Sequence, residues 1–146
     1  MPIESYKILL IENDPNEIEL MLLALNSDSL GMQINIDIAI NGQQALEYLF
    51  ERKNSDSAQS FPRLILLDLN IPLISGIEVL RKIRNHPQTT NLIVVVMTSS
   101  AEDRDIQTCY NLGVNSYIVK PINFDQYVDV VRQVGIYWMR LNEPPM

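Results

Sequence analysis

The sequence predicts an α/β fold: a five-stranded parallel sheet, doubly wound as (βα)5. Three observations carry this. Residues 8–11, 64–67 and 92–97 are short and continuously apolar, the pattern of strands covered on both faces. Two further strand candidates, 34–40 and 117–119, complete a set of five. Each is followed by a segment that opens on a helix cap, so strand and helix alternate five times.

Residues 8–11 form strand 1. Asp14-Pro15-Asn16-Glu17 then starts helix 1, with Asp14 at the N-cap, Pro15 at the first helical position and Glu17 three after the cap. Strand 2, at 34–40, is β-branched and alternating, and Asn41 with Gln44 caps helix 2. The polar, serine-rich stretch 54–60 is a surface loop. Strand 3 leads to Ser75 with Glu78, and strand 4 to Ser100 with Asp103, a looser form of the same capping pair. Asn123 caps helix 5. His86, before Pro87, closes helix 3 or begins its loop. Cys109 is a small core residue of helix 4, and Met21, Met97 and Met139 fall at apolar positions. Residues 1–134 are expected to form one domain and 135–146 a C-terminal extension, which Pro144-Pro145 prevents from ending as helix.

At 146 residues the chain has the size of one domain. It can bury about 68–70% of its unfolded surface without a disulfide or metal staple. Eleven basic against eighteen acidic residues give a net charge of −7, and Lys and Arg form no run. Direct nucleic-acid binding is therefore not expected. A lone histidine excludes a His-rich metal site, and a lone cysteine excludes a disulfide framework or Cys-based zinc site. No apolar run approaches the ~20 residues of a membrane span, and the N-terminus lacks the basic and apolar regions of a signal peptide. A cytoplasmic location without membrane attachment is the expectation.

In a sheet of this kind the reactive crevice lies at the carboxyl ends of the strands. The residues there are Glu12-Asn13-Asp14, Asp68-Leu69-Asn70, Thr98-Ser99-Ser100 and Lys120-Pro121. Neighbouring carboxylates suit a hard cation such as Mg2+. A carboxylate can also attack a phosphoryl group and form an acyl phosphate. The charge that then spreads over the phosphoryl oxygens needs cations and hydrogen-bond donors, which Lys120 and Thr98 would supply.

This ordered set resembles the receiver domain of two-component response regulators, over about residues 6–134. The serine-rich insertion and the tail from Tyr137 to Pro145 are most similar to the small stand-alone regulators of cyanobacterial phytochrome histidine kinases. The resemblance implies the flavodoxin-like receiver fold and a phospho-accepting signalling domain rather than a turnover enzyme, with self-dephosphorylation as its one reaction of its own. It implies Mg2+ as cofactor and a histidine kinase, of phytochrome type, as partner. By position, Asp68 resembles the phospho-acceptor and Glu12 the first acid of the metal-binding pair. Asn70 resembles the residue lending the metal its main-chain carbonyl, and Thr98 the hydroxyl that moves toward the phosphoryl group. Lys120 resembles the lysine that pairs with it, and Tyr117 the aromatic that swings inward on activation. The family's peptide bond at Lys120-Pro121 is cis. One position departs: Asn13 stands where the second metal-binding acid is usually aspartate. Asn13 still offers a carbonyl oxygen, so the expectation is a weakened metal site. Asp14 is committed to the helix cap.

Two apolar surfaces exceed what a core needs. On helix 5, Phe124, Tyr127, Val128, Val131 and Trp138 make the stripe that covers the sheet. Val130, Val134 and Tyr137 make a second one beside it. The expected occupant is a second copy of the chain, giving a homodimer through helix 4, strand 5 and helix 5, with the tail folding back as the alternative. On helix 1, Ile18, Met21, Leu22 and Leu25 face the core. Leu20 and Leu23 point elsewhere, and in the receiver family that flank meets the kinase, which makes Leu20 a docking candidate.

Three rival readings share parts of the set. A haloacid-dehalogenase-type hydrolase places its nucleophile after the first strand, whereas here the metal acids come first. A flavodoxin-like flavin binder needs hydroxyls and glycines where this chain has Glu12-Asn13-Asp14. A degenerate receiver would act only as a binding module.

Overall fold

Five parallel strands lie in the order β2-β1-β3-β4-β5. They are β1 (Ile3–Ile11), β2 (Asn35–Ala39), β3 (Phe61–Leu67), β4 (Ile93–Thr98) and β5 (Ser116–Val119). The helices are α1 (Pro15–Ala24), α2 (Gly42–Phe50), α3 (Gly76–Asn85), α4 (Asp103–Asn111) and α5 (Phe124–Ile136), the last running into a π-helical turn, Tyr137–Leu141. The computed structural model describes residues 3–26, 30–51 and 61–145, with backbone alone for residues 3–6. The expected loop at 54–60 lies outside the described residues. No described helix is long and apolar enough to cross a membrane.

The apolar runs form buried strands because helices cover both faces, and successive side chains point to opposite sides. Ile8, Leu10, Leu64, Leu66, Val95 and Met97 pack toward α1 and α5. Leu9, Ile11, Ile65, Leu67, Val94 and Val96 pack toward α2, α3 and α4, where Cys109 is buried. Met21, Met97 and Met139 are buried in the α1–α5 layer. The register places Ile11 beside Leu67 and Leu67 beside Val96, so the strand ends form one rim.

Four predicted caps form. Asp14 Oδ1 accepts from the Asn16 N–H at 2.9 Å, Asn41 Oδ1 from Gln44 at 2.7 Å, Ser75 Oγ from Glu78 at 3.3 Å and Asn123 Oδ1 from Gln126 at 3.0 Å. The fifth does not. Glu102 occupies the N-cap of α4 without a side-chain bond. Ser100 Oγ accepts from the Glu102 N–H at 3.3 Å instead of from the first turn of α4, and its O–H donates to Asp105 Oδ2 at 2.6 Å.

Other expectations are corrected. Burial on α1 centres on Met21 and Ala24, so Leu20, on the same side, packs against the core while Leu22 and Leu23 are exposed. On α5, Phe124 is 57% exposed, because the first turn stands at the rim beyond the last residue of β5. Val134 is only 7% exposed. Leu25 and Leu30 close over the end of α5 at Gly135, where an added Cβ would meet them at 2.7 and 3.2 Å. Val130 and Trp138 are partly buried against the same core, which leaves Tyr137 and Leu141 as the exposed apolar residues there. Helix α5 ends at Ile136. The chain beyond folds back, with Arg63 donating to the carbonyls of Trp138 and Asn142 at 3.1 and 2.7 Å. No described peptide bond is cis, Lys120–Pro121 included. Trans is the intrinsically favoured form, and Lys120 N–H extends the ladder by donating to Thr98 O at 2.8 Å.

Candidate functional site

Ladder hydrogen bonds fix the rim residues before any side chain acts. Glu12 N–H donates to Ala39 O and Asp68 N–H to Ile11 O, both at 3.0 Å. Each residue therefore leaves its strand in a set direction. Behind Asp68, the start of α3 presses close. A Cβ on Gly76 would lie 2.4 Å from the Asp68 carbonyl oxygen, so only glycine allows that approach. The neighbouring Leu73 takes a left-handed φ of 71° and is 78% exposed.

Lys120 is the centre of the site. Its ammonium donates to Glu12 Oε1 at 3.0 Å and Asp68 Oδ2 at 2.9 Å, and it lies 2.6 Å from Glu17 Oε1. Glu12 and Asp68 are buried. Burial, then the adjacent Asp68 charge, pushes the Glu12 carboxyl up to about 7, against the pull of Lys120. Burial would also raise Asp68, but the Lys120 hydrogen bond and charge, with the Asn70 N–H donating to Oδ1 at 3.1 Å, hold it below the usual value. Asp68 is thus the carboxylate kept ionised, the form a nucleophile needs. Burial works against the Lys120 charge too, and its bonds to Glu17 and Asp68 outweigh that and raise it.

Thr98 ends β4 and is buried, with no hydrogen-bond partner for Oγ1 among the described residues. An orphaned buried hydroxyl costs about 1–3 kcal/mol, so its placement at a reactive rim calls for a ligand. Tyr117, on β5, is half-buried and donates its hydroxyl to Ser100 O at 2.9 Å. Burial raises its phenol above the usual value.

Asn13 and Asn70 are exposed on the loops that flank Glu12 and Asp68. Among the described residues no three His, Cys, Asp or Glu side chains are arranged to hold a metal ion. The donor chemistry fits a hard divalent cation nonetheless. Two buried carboxylates stand together, and burial first, then the charge of Asp68, brings Glu12 up to about 7.

Sequence reasoning missed two residues. Glu17 does not close the capping box, since the Asp14 N–H goes to Glu12 Oε2 at 3.1 Å. Glu17 turns inward instead, where the buried Tyr127 donates its hydroxyl to Oε1 at 2.9 Å. Burial and the Glu17 carboxylate push that phenol well up. The signal was spacing: Glu17 lies one turn before Met21 on the inward face of α1.

The family model for the response regulator receiver domain matches residues 8–132. The chain belongs to this family. The receiver is similar over nearly its whole length to several known proteins. It is 34% identical to the probable methanogenesis regulatory protein FilR2 of Methanothrix harundinacea, over 97% of this chain and 89% of that one. The crystal structure of the phosphorylated cyanobacterial phytochrome response regulator RcpA superposes with a TM-score of 0.88 at 33% identity, covering 97% of this chain and 99% of that one. The Mn2+-bound response regulator Rcp1 gives 0.87 at 29% identity, with 97% and 99% covered. The curated sequence of Rcp1, from Synechocystis sp., is 30% identical over 90% of this chain and 88% of its own. Receiver domains bind a divalent metal and are generally signalling modules. The hydrolase and flavin readings lose their ground with this assignment.

Proposed function

We propose that this receiver accepts a phosphoryl group from the phosphohistidine of a partner kinase onto Asp68 and signals through protein contacts. The observation that carries the reading is the convergence at one rim of Asp68, Lys120 and the Thr98 hydroxyl, which has no partner among the described residues. In the transfer, an Asp68 oxygen forms a bond to phosphorus as the donor's P–N bond breaks. The imidazole leaves with the electron pair and takes up a proton. Lys120 pairs with the phosphoryl oxygens, and Thr98 donates its hydroxyl to one of them. The Glu12 and Asp68 carboxylates, with the Asn13 side-chain carbonyl and the Asn70 main-chain carbonyl, would hold Mg2+, whose charge would neutralise the phosphoryl oxygens. Tyr117 responds by turning inward and releasing Ser100. Self-dephosphorylation by water resets the site. A phytochrome-type histidine kinase is the partner favoured by likeness to RcpA and Rcp1. The setting is the cytoplasm, without nucleic-acid contact.

The test is intact mass after incubation with a small acyl phosphate and Mg2+. Wild type should gain one phosphoryl mass and Asp68→Asn none. Labelling that survives Asp68→Asn overturns the assignment. A homodimer through α4, β5 and α5 belongs to the same reading, because Tyr110, Val119 and Phe124 are exposed there. Val119→Glu should shift the light-scattering mass from dimer to monomer, and a monomeric wild type at high micromolar concentration refutes this part.

A further inference from the structure

Three carboxylates close on one ammonium. Oxygens of Glu12, Glu17 and Asp68 lie 3.0, 2.6 and 2.9 Å from Lys120 Nζ. An ammonium carries three protons, so Lys120 is saturated. The shortest of these contacts is made by Glu17, which comes from a helix rather than a strand end. Asp14 at the cap and Pro15 at the first helical position fix where α1 starts, and so fix the direction in which Glu17 leaves it. Tyr127, 4% exposed, holds the same Glu17 oxygen from the neighbouring helix α5 at 2.9 Å. A solvated glutamate would not be gripped by both the buried Tyr127 hydroxyl and the largely covered Lys120 ammonium.

Formal charge sharpens the point. With all three ionised, the carboxylates count −3 and Lys120 counts +1, giving −2 for the cluster. Without Glu17 the count is −1. Asn13, beside Glu12, is exposed and uncharged. The fully buried Thr98 hydroxyl, without a partner among the described residues at the same rim, marks the cluster as one that receives a ligand.

We infer that Glu17 is a positioning residue of this site: it supplies the third carboxylate charge, which Asn13 does not, and thereby both aims Lys120 and strengthens divalent-cation binding. The inference rests on the phospho-acceptor reading above. In that arrangement Glu17 acts through Lys120 and through its field, and need not touch the cation. Tyr127 keeps the carboxylate in place when Lys120 moves toward other oxygens.

The experiment is calorimetric titration of the full chain with MgCl2 at constant ionic strength, for wild type, Glu17→Gln and Glu17→Asp. Glutamine keeps an acceptor for Tyr127 and removes only charge, and thermal melts confirm that the variant is folded. Glu17→Gln should weaken Mg2+ binding by about five- to tenfold, the scale of one nearby charge after screening. Glu17→Asp, with the charge kept on a shorter arm, should stay within about threefold of wild type. A Kd for Glu17→Gln within twofold of wild type overturns the inference. So does a Glu17→Asp variant as weak as Glu17→Gln, which would make the effect one of shape. Acyl-phosphate labelling of Asp68 separates the two readings. Failure of wild type to label sinks the phospho-acceptor function, whereas normal labelling with an unchanged Glu17→Gln affinity sinks the role of Glu17 alone.

Discussion

Replacing Lys120 by methionine should destabilise the protein by an amount that grows with pH. Each of the three contacts near 3 Å is worth ~5 kcal/mol gross at an effective dielectric of about 20. Desolvation of the ions offsets most of that, and removing one partner of such a buried cluster costs about 3–5 kcal/mol. Glu12 offers a partial escape. Its folded carboxyl is already raised from 4.5 to about 7. An acid raised on folding holds its proton more tightly in the folded chain, so stability falls as pH climbs from the lower value through the upper one. Without Lys120 the Glu12 titration climbs further, at about 1.4 kcal/mol per unit. The Lys120 charge itself is constant between pH 5 and 8, because its own titration is raised above 10.5. The loss in Lys120→Met should therefore be ~1–2 kcal/mol larger at pH 8 than at pH 5.5. Equilibrium urea unfolding, followed by the single tryptophan, Trp138, measures both values. An equal loss at the two pH values, or a loss under ~1 kcal/mol at pH 8, refutes the account of Glu12 as the group that absorbs the imbalance.

Three further outcomes follow from backbone and tail. Gly76→Ala drives a Cβ to within 2.4 Å of the Asp68 carbonyl oxygen, so it should cost about 1–3 kcal/mol in urea unfolding and slow acyl-phosphate labelling of Asp68. Leu73→Gly relieves a left-handed φ at an exposed position and should raise stability by ~0.5–1 kcal/mol, read as a higher melting temperature; a fall would mean that Leu73 packs on something. Arg63→Met removes both donors to the Trp138 and Asn142 carbonyls, so Trp138 emission should shift to the red and stability drop by about 1–3 kcal/mol. Unchanged emission would show the tail to be held by other contacts.

The sheet was legible because its strands are buried on both faces, and nothing but a run such as Leu64 to Leu67 satisfies that. The rim residues Glu12, Asp68, Thr98 and Lys120 were legible for a related reason: they follow those runs directly, and a parallel sheet brings all such ends together. Glu17 was hidden by its second plausible task, since a glutamate three after an N-cap fits a capping box equally well. Only the tertiary approach of Tyr127 and Lys120 decides between them. The α5 stripes failed at their ends, not at their middle. Tyr127 and Val131 are in the core as their spacing requires. Phe124 overhangs the rim, and Val134 is buried in one cluster with Leu25 and Leu30, and neither circumstance is written in the helix itself.

The tether between Tyr117 and Ser100 has a quantitative consequence for how quiet the molecule can be. One neutral hydrogen bond of 2.9 Å holds the phenol hydroxyl to a main-chain carbonyl, while Ser100 spends its own hydroxyl on Asp105. Such a bond contributes about 1 kcal/mol. By itself that leaves roughly one molecule in six with the ring released at any moment. If Asp68 accepts a phosphoryl group as proposed above, that event has a ratio to multiply rather than a barrier to break. The background level would be set by the strength of this single bond, and removing the hydroxyl with Tyr117→Phe would make the resting protein noisier without touching the chemistry at Asp68.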